Sequence, residues 1–187
     1  MSLSSLLDQT AVSLAEIRAH LDGLNAADRL AECGALTATR QKRLWELATA
    51  APWPHGGDLV PARQDTAVFA GRNSLAIFSH FQKRFTRQGA QVGGYNVHPL
   101  GWLIGPGYFM VEPGAPGMPL RFDYSRVPTA IPAGWPRVSD NSSVFARPVY
   151  GDLLDEVAWV TLDVLIGSAF RGGRALGSYF VLARTAA

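Results

Sequence analysis

The chain has 187 residues, 48% of them hydrophobic and 17% charged, and its formal net charge is +2. This length suits one domain with a sizeable core, and a charge so near zero gives no electrostatic reason to expect nucleic acid as a partner. Cys33 is the only cysteine, so we expect no internal disulfide and a reducing compartment. With neither a signal-peptide pattern nor an apolar run of about 20 residues, the sequence predicts a cytoplasmic protein without a membrane span.

Residues 1–52 are predicted to form a helical segment. Ser13 and Glu16 have the spacing of a capping box, which marks the start of a helix. Asn25 is a candidate cap for a second helix, and Thr37 or Thr39 for a third. The remaining chain, residues 53–187, is predicted to form the body of the same single domain.

The segment APWPHGGDLVP, residues 51–61, ends the helical pattern because its prolines and Gly pair cannot continue a helix. Beyond it, Asn73 is a suitable N-cap, and Phe81 and Phe85 recur at near-helical spacing. We therefore predict an amphipathic helix near residues 73–88. The alternative is a strand, because Phe81 and Phe85 also share parity with Lys83.

From Gly93 onward the sequence has the pattern of strands and turns that is typical of an antiparallel β protein. Short segments rich in β-branched and aromatic residues are bounded by Gly, Pro, Asn and Asp, and RGGR at 171–174 suits a tight hairpin. The segments between predicted strands are too short for regular βαβ crossovers. The predicted fold class is therefore α+β, an N-terminal helical segment packed on a mainly antiparallel β-barrel or strongly curved sheet with one internal amphipathic helix.

Residues 157–166 are apolar at both parities, which indicates a strand covered on both faces. One face is expected to meet the barrel or sheet interior, and the other to meet the N-terminal helices or the predicted amphipathic helix. Asp163 is the polar exception, and we expect arginine or backbone N–H partners for it.

The glycines of GWLIGPGYFMV, residues 101–111, do not fit a nucleotide-binding loop. A dinucleotide fingerprint opens a helix, whereas the residues after Gly107 have the pattern of a strand, and the chain lacks a Gly-Lys-Ser/Thr sequence. A similar pattern of glycine followed by aromatic or apolar residues recurs at 165–170 and 176–184. We interpret these glycines as bends or bulges that curve a sheet.

Candidate site residues are polar or aromatic side chains of the predicted body. Those for ligand binding are Arg84, Tyr95, His98, Trp102, Tyr108, Arg121, Asp123 and Tyr124. Those for acid–base catalysis are His98, Tyr95, Asp123 and His80. His80, His98 and Asp123 could in principle form a two-His, one-carboxylate site, and their spacing neither supports nor excludes it. Because hydrogen-bonded structural or surface histidines are more common than metal ligands, we expect no metal and no cofactor.

The leading hypothesis is a soluble protein that binds a small, largely apolar or lipid-like ligand inside the barrel. One alternative is an isomerase, cyclase or hydrolase that uses acid–base residues in the same cavity. Another is a structural or interaction protein whose barrel is filled by its own side chains. The sequence leaves the ligand, any reaction and the oligomeric state open.

Overall fold

The structure, a computed structural model, describes residues 1–51, 57–75, 79–114, 118, 120–139, 141 and 146–186. In these residues the helices are α1 (Leu3–Leu7), α2 (Leu14–Asp22), α3 (Ala26–Gly34), α4 (Ala38–Ala50), α5 (Gly101–Ile104) and α6 (Arg147–Tyr150). The strands are β1 (Thr66–Asn73), β2 (His80–Gln88), β3 (Gln91–Val97), β4 (Phe109–Glu112), β5 (Leu120–Asp123), β6 (Leu153–Trp159), β7 (Val164–Arg171) and β8 (Arg174–Arg184). None of the described helices is both long and apolar enough to cross a membrane.

Helices α2, α3 and α4 begin where the sequence predicts, whereas α1 was not predicted as a separate helix. Ser13 and Glu16 form the expected capping box at α2. The Asn25 side chain accepts a hydrogen bond from the backbone N–H of Asp28 at the start of α3, and Thr37, rather than Thr39, caps α4. These caps satisfy N–H groups that have no partner within the helix.

The strands of the described residues form a closed antiparallel barrel, which confirms the predicted fold class. Each strand pairs with the next along the chain, and β1 pairs with β8 to close the sheet. Closure leaves no exposed sheet edge, and the side chains of each strand alternate between the interior and the outside.

Two hydrophobic cores lie on opposite sides of the β6–β8 wall. Val157, Trp159 and Leu165 belong to the interior core. Ala158, Ile166 and the other outward apolar residues of these strands pack beneath helices α1–α4. The prediction that this part of the sheet is covered on both faces is confirmed.

Asp163, the polar exception in this region, has the arginine partners that were expected. Its carboxylate accepts hydrogen bonds from Arg29 on α3 and from Arg184 on β8, both at 2.9 Å. The carboxylate therefore ties the helical layer to the barrel through charge-assisted hydrogen bonds.

The predicted helix near residues 73–88 is wrong. Asn73 is the last residue of β1, and residues 80–88 form β2, which pairs with β1 and β3; residues 76–78 lie outside the described part of the chain. Phe81, Lys83 and Phe85 alternate into the interior, as the strand alternative required. The near-helical spacing of the phenylalanines was outweighed by sheet pairing on both sides.

The glycine-rich segment 101–111 is only partly a strand. Residues Gly101–Ile104 form the short helix α5 in the connection between β3 and β4, which corrects the prediction of a bent strand there. Gly107, with φ +56°, approaches the ring of Tyr150 so closely that a Cβ atom would lie 2.3 Å from it. In contrast, the predicted hairpin at RGGR is confirmed, with Gly172 and Gly173 at its turn.

Candidate functional site

A cavity of about 300 Å³ occupies the end of the barrel where β1 and β3 finish and β2 and β8 begin. Apolar side chains dominate its wall, among them Leu75, Phe81, Ile104, Val149, Leu153, Leu176 and Phe180. Leu75 and Leu176 are each 48% exposed, so the cavity wall reaches the surface at these two residues. Its inner end is lined by Lys83, Asn96, Tyr124 and Asp155.

The ammonium group of Lys83 lies at the centre of this inner end, and Lys83 is only 2% exposed. Its Nζ atom donates hydrogen bonds to Oδ1 of Asn96 (2.8 Å), to the hydroxyl oxygen of Tyr124 (2.5 Å) and to Oδ2 of Asp155 (3.3 Å). Tyr124 in turn donates to Oδ2 of Asp155 at 3.0 Å. We call Lys83, Asn96, Tyr124 and Asp155 the polar cluster.

The barrel topology explains how distant residues meet in this cluster. Lys83 and Asn96 are directly opposite each other on β2 and β3. Asp155 comes from β6 and Tyr124 from the residue after β5, on the far side of the interior. A buried charge needs such partners, because without them its transfer from water is very unfavourable.

Aromatic rings surround the Lys83 ammonium. The centroids of the Phe81, Phe109, Phe122, Tyr124 and Phe180 rings lie 4.7–5.7 Å from Nζ. These distances fall within the range of cation–π attraction. The rings therefore favour a positive charge at this point of an otherwise apolar interior.

Burial shifts the proton affinities of the polar cluster. It lowers the pKa of Lys83, against the opposing attraction of Asp155, and it raises the pKa of Asp155, against the opposing effect of Lys83. It also holds the pKa of Tyr124 well above its usual range. The lysine and carboxyl pKa values thus move towards each other, which makes proton transfer between the two groups less costly than in water.

His98 and Tyr150 form a second polar pair on the cavity wall. The Tyr150 hydroxyl lies 2.9 Å from Nε2 of His98, and the Tyr150 ring stacks on that of Tyr124 with centroids 5.3 Å apart. Burial lowers the pKa of His98 and raises that of Tyr150. Both groups are therefore neutral near pH 7.

Of the residues singled out from the sequence, His98 and Tyr124 lie at this cavity. Tyr95 and Arg84 project from the opposite side of their strands and line a separate surface depression with His98. Tyr108 is buried next to Tyr95, and its hydroxyl donates to the backbone oxygen of Pro136 at 2.6 Å.

The other candidate residues lie away from the cavity. Trp102 is 81% exposed on α5. On the outer face of β5, Arg121 pairs with Glu156 at 2.6 Å, and Asp123 accepts hydrogen bonds from Ser125. His80 is exposed at the start of β2 beside Arg72. The ligand-binding or catalytic roles suggested for these side chains stay predictions, and none of them faces the polar cluster.

The structure does not bring the hypothetical metal ligands together. His98 contacts Tyr150, whereas His80 and Asp123 have the separate surroundings described above. Within the described residues no group of three His, Cys, Asp or Glu side chains could hold a metal ion.

Sequence reasoning missed Lys83, Asn96, Tyr150 and Asp155 as site residues. The available signal was the alternation Phe81–Lys83–Phe85, which places a lysine on the same strand face as two phenylalanines. A similar signal lay in β6, where Asp155 shares parity with the inward-facing Val157.

Chemically, the site offers an apolar wall, hydrogen-bond donors and acceptors at its inner end, and a buried amine beside a proton acceptor. No protein-family model, curated protein or solved structure matches this chain.

Proposed function

We propose that the protein binds a small, largely apolar molecule with one polar group, inserted into the barrel cavity with that group towards Lys83. The observation that carries this proposal is the combination of apolar walls with a compact polar cluster at the inner end. Binding sites for small molecules are usually concave and mostly apolar, with a few polar groups that fix orientation.

The size of the cavity supports a small ligand. Its volume of about 300 Å³ is at the lower end of the range typical for ligand pockets. The opposite part of the interior is filled by rings such as Phe69, Phe85, Phe109 and Phe122. The barrel is thus packed along part of its length and hollow at one end, which favours a ligand-binding protein over one with a fully filled barrel.

Calorimetry with benzyl alcohol tests the proposal, because this probe combines one ring with one hydroxyl. We expect saturable binding with 1:1 stoichiometry. Ala169→Phe should abolish it, since Ala169 lines the cavity and a phenyl group there would occupy ligand volume. Ala175→Phe is the matched control, because Ala175 is exposed on the neighbouring strand. Equal binding by the two variants, or none by the wild type, would refute the proposal.

An acid–base enzyme that uses the same cavity is the second candidate. It is favoured by the contact of Lys83 and Tyr124 with Asp155, in a place where burial brings the lysine and carboxyl pKa values closer together. The Asp155 carboxylate is then the base that removes a proton from the carbon next to a ligand carbonyl.

Exchange of the methyl protons of acetophenone in D₂O, followed by NMR, tests this candidate. We expect exchange faster than the buffer rate with wild-type protein and slower exchange with Asp155→Asn, which keeps the side-chain shape but removes the base. Exchange at the buffer rate with every variant would exclude this chemistry for such ketones.

A further inference from the structure

We propose that Lys83 forms a protonated imine with an aldehyde or ketone ligand, with Asp155 as its counter-ion. This inference rests on the proposed ligand-binding function and specifies its ligand class. Three features of the geometry point to it: the position of the amine, the proton acceptor beside it, and the rings around it.

The amine lies at the boundary between the cavity and the packed interior. On one side of the amine lie Phe81, Tyr124 and Phe180, which line the cavity. On the other side lie Phe109 and Phe122, which belong to the filled part of the barrel. A ligand inserted lengthwise therefore presents its leading atom to Nζ. A carbonyl group is the small polar group that both accepts a hydrogen bond from an ammonium and reacts with the neutral amine.

Asp155 provides the proton transfers that imine formation needs. The ammonium first gives one proton to Oδ2 of Asp155, 3.3 Å away, which leaves a neutral amine and a carboxylic acid. The nitrogen lone pair then forms a bond to the carbonyl carbon, while the C=O π electrons move to the oxygen. Transfer of one proton from nitrogen to that oxygen, with the carboxyl group as relay, gives a neutral carbinolamine.

Dehydration completes the reaction. The Asp155 carboxylic acid protonates the carbinolamine hydroxyl, the C–O bond breaks, and water leaves. The nitrogen lone pair forms the C=N bond, so the products are a protonated imine, the Asp155 carboxylate and one water molecule. The net change is condensation of the ammonium with the carbonyl and release of water, with no oxidant or reductant consumed.

The surroundings suit the product as well as the free lysine. The protonated imine carries the same single positive charge as the ammonium, so its attraction to Asp155 and to the aromatic rings persists. Tyr124 continues to hold the carboxylate through its 3.0 Å hydrogen bond. The carbonyl oxygen is released as water, which leaves through the cavity.

The sequence supplies an internal control, because Lys42 and Lys83 are its only lysines. The Lys42 side chain is 60% exposed on α4 and lies 3.8 Å from Glu46. Burial lowers the pKa of Lys83, which raises the neutral, reactive fraction of its amine at pH 7. The two residues therefore allow reaction in the cavity to be compared with reaction at the surface within one molecule.

The experiment is reductive trapping with benzaldehyde and cyanoborohydride at pH 7, followed by peptide mass mapping. We expect the ratio of benzylated Lys83 to benzylated Lys42 to exceed one, and excess benzyl alcohol to suppress labelling at Lys83 only. Asp155→Asn should slow trapping at Lys83 by about 10²-fold or more, the usual contribution of a positioned acid–base group, and leave Lys42 unchanged.

The other outcomes separate the two proposals. Labelling of Lys42 without Lys83, in protein that binds benzyl alcohol, would refute the imine and leave the ligand-binding function in place. Absence of both Lys83 labelling and benzyl alcohol binding would refute both. Equal trapping at Lys83 in wild type and Asp155→Asn would remove the role of Asp155 as proton relay.

Discussion

Replacement of Lys83 by Met should strongly destabilise the folded protein. The side chains of Lys83 and Asp155 are 2% and 6% exposed, so the substitution leaves a buried carboxylate without its positive partner. Removal of one member of a buried ion pair costs about 3–5 kcal/mol. The Tyr124 hydroxyl still donates to Asp155, but this hydrogen bond is already present in the wild type, so it does not replace the lost positive charge.

Urea denaturation followed by tryptophan fluorescence measures this cost, since Trp159 is buried in the interior. With an m-value of about 2 kcal/mol/M, we expect the midpoint to fall by roughly 2 M. Lys83→Met/Asp155→Leu removes both charges, and replacement of a whole buried pair by apolar groups is often neutral or stabilising. A double variant as unstable as the single one, or a single variant within about 1 kcal/mol of wild type, would refute the reasoning.

The pH dependence of the Lys83→Met variant provides a second check. Burial raises the pKa of Asp155 in the folded state, and Lys83 opposes that rise, so the substitution raises it further. A carboxyl group with a raised folded-state pKa contributes stability below its unfolded pKa of about 3.9 and loses it as the pH rises through the folded value. The difference in unfolding free energy from wild type should therefore be small near pH 4 and grow towards neutrality; a difference that shrinks would contradict this assignment.

Further predictions concern the packing of the barrel and of the helices against it. Gly167→Ala should cost about 1–3 kcal/mol in urea denaturation, because a Cβ there would lie 2.2 Å from the Phe180 ring; Gly34→Ala, with no atom within 4 Å, should not destabilise, and equal effects would contradict the close approach. Asp163→Asn should cost about 1–3 kcal/mol, because it weakens two charge-assisted hydrogen bonds, one from Arg29 on α3 and one from Arg184 on β8; an unchanged midpoint would show that these bonds contribute nothing. Burial raises the pKa of Cys33 to about 12, so its thiol should react with a disulfide reagent at pH 8 only after unfolding, and rapid reaction of native protein would contradict its burial.

The N-terminal helices and the two-sided burial of β6 and β7 could be predicted because their signals are local. A cap such as Asn25 acts on an N–H three residues away, and the alternation through Val157 and Trp159 marks one strand face without knowledge of its neighbours. The barrel as a class followed from short strands and turn residues.

The polar cluster could not be predicted in the same way. Lysine is almost never fully buried without a partner, and the partner of Lys83 lies 72 residues away on β6. Phe81 and Phe85 suit a helix as well as a strand when only their spacing is known, and pairing with β1 and β3 decides between the two. Tyr150 comes from the connection before β6, whose position follows from contacts such as the one with Gly107.

The most direct test of the central claim uses NMR of protein labelled with ¹³C at the lysine ε carbons. Because the chain has only two lysines, the spectrum contains one signal from the cavity and one from the surface. Titration with benzyl alcohol should shift the Lys83 signal to saturation and leave the Lys42 signal in place. Two signals that stay unchanged, or that move together without saturation, would contradict a binding site at the inner end of the barrel.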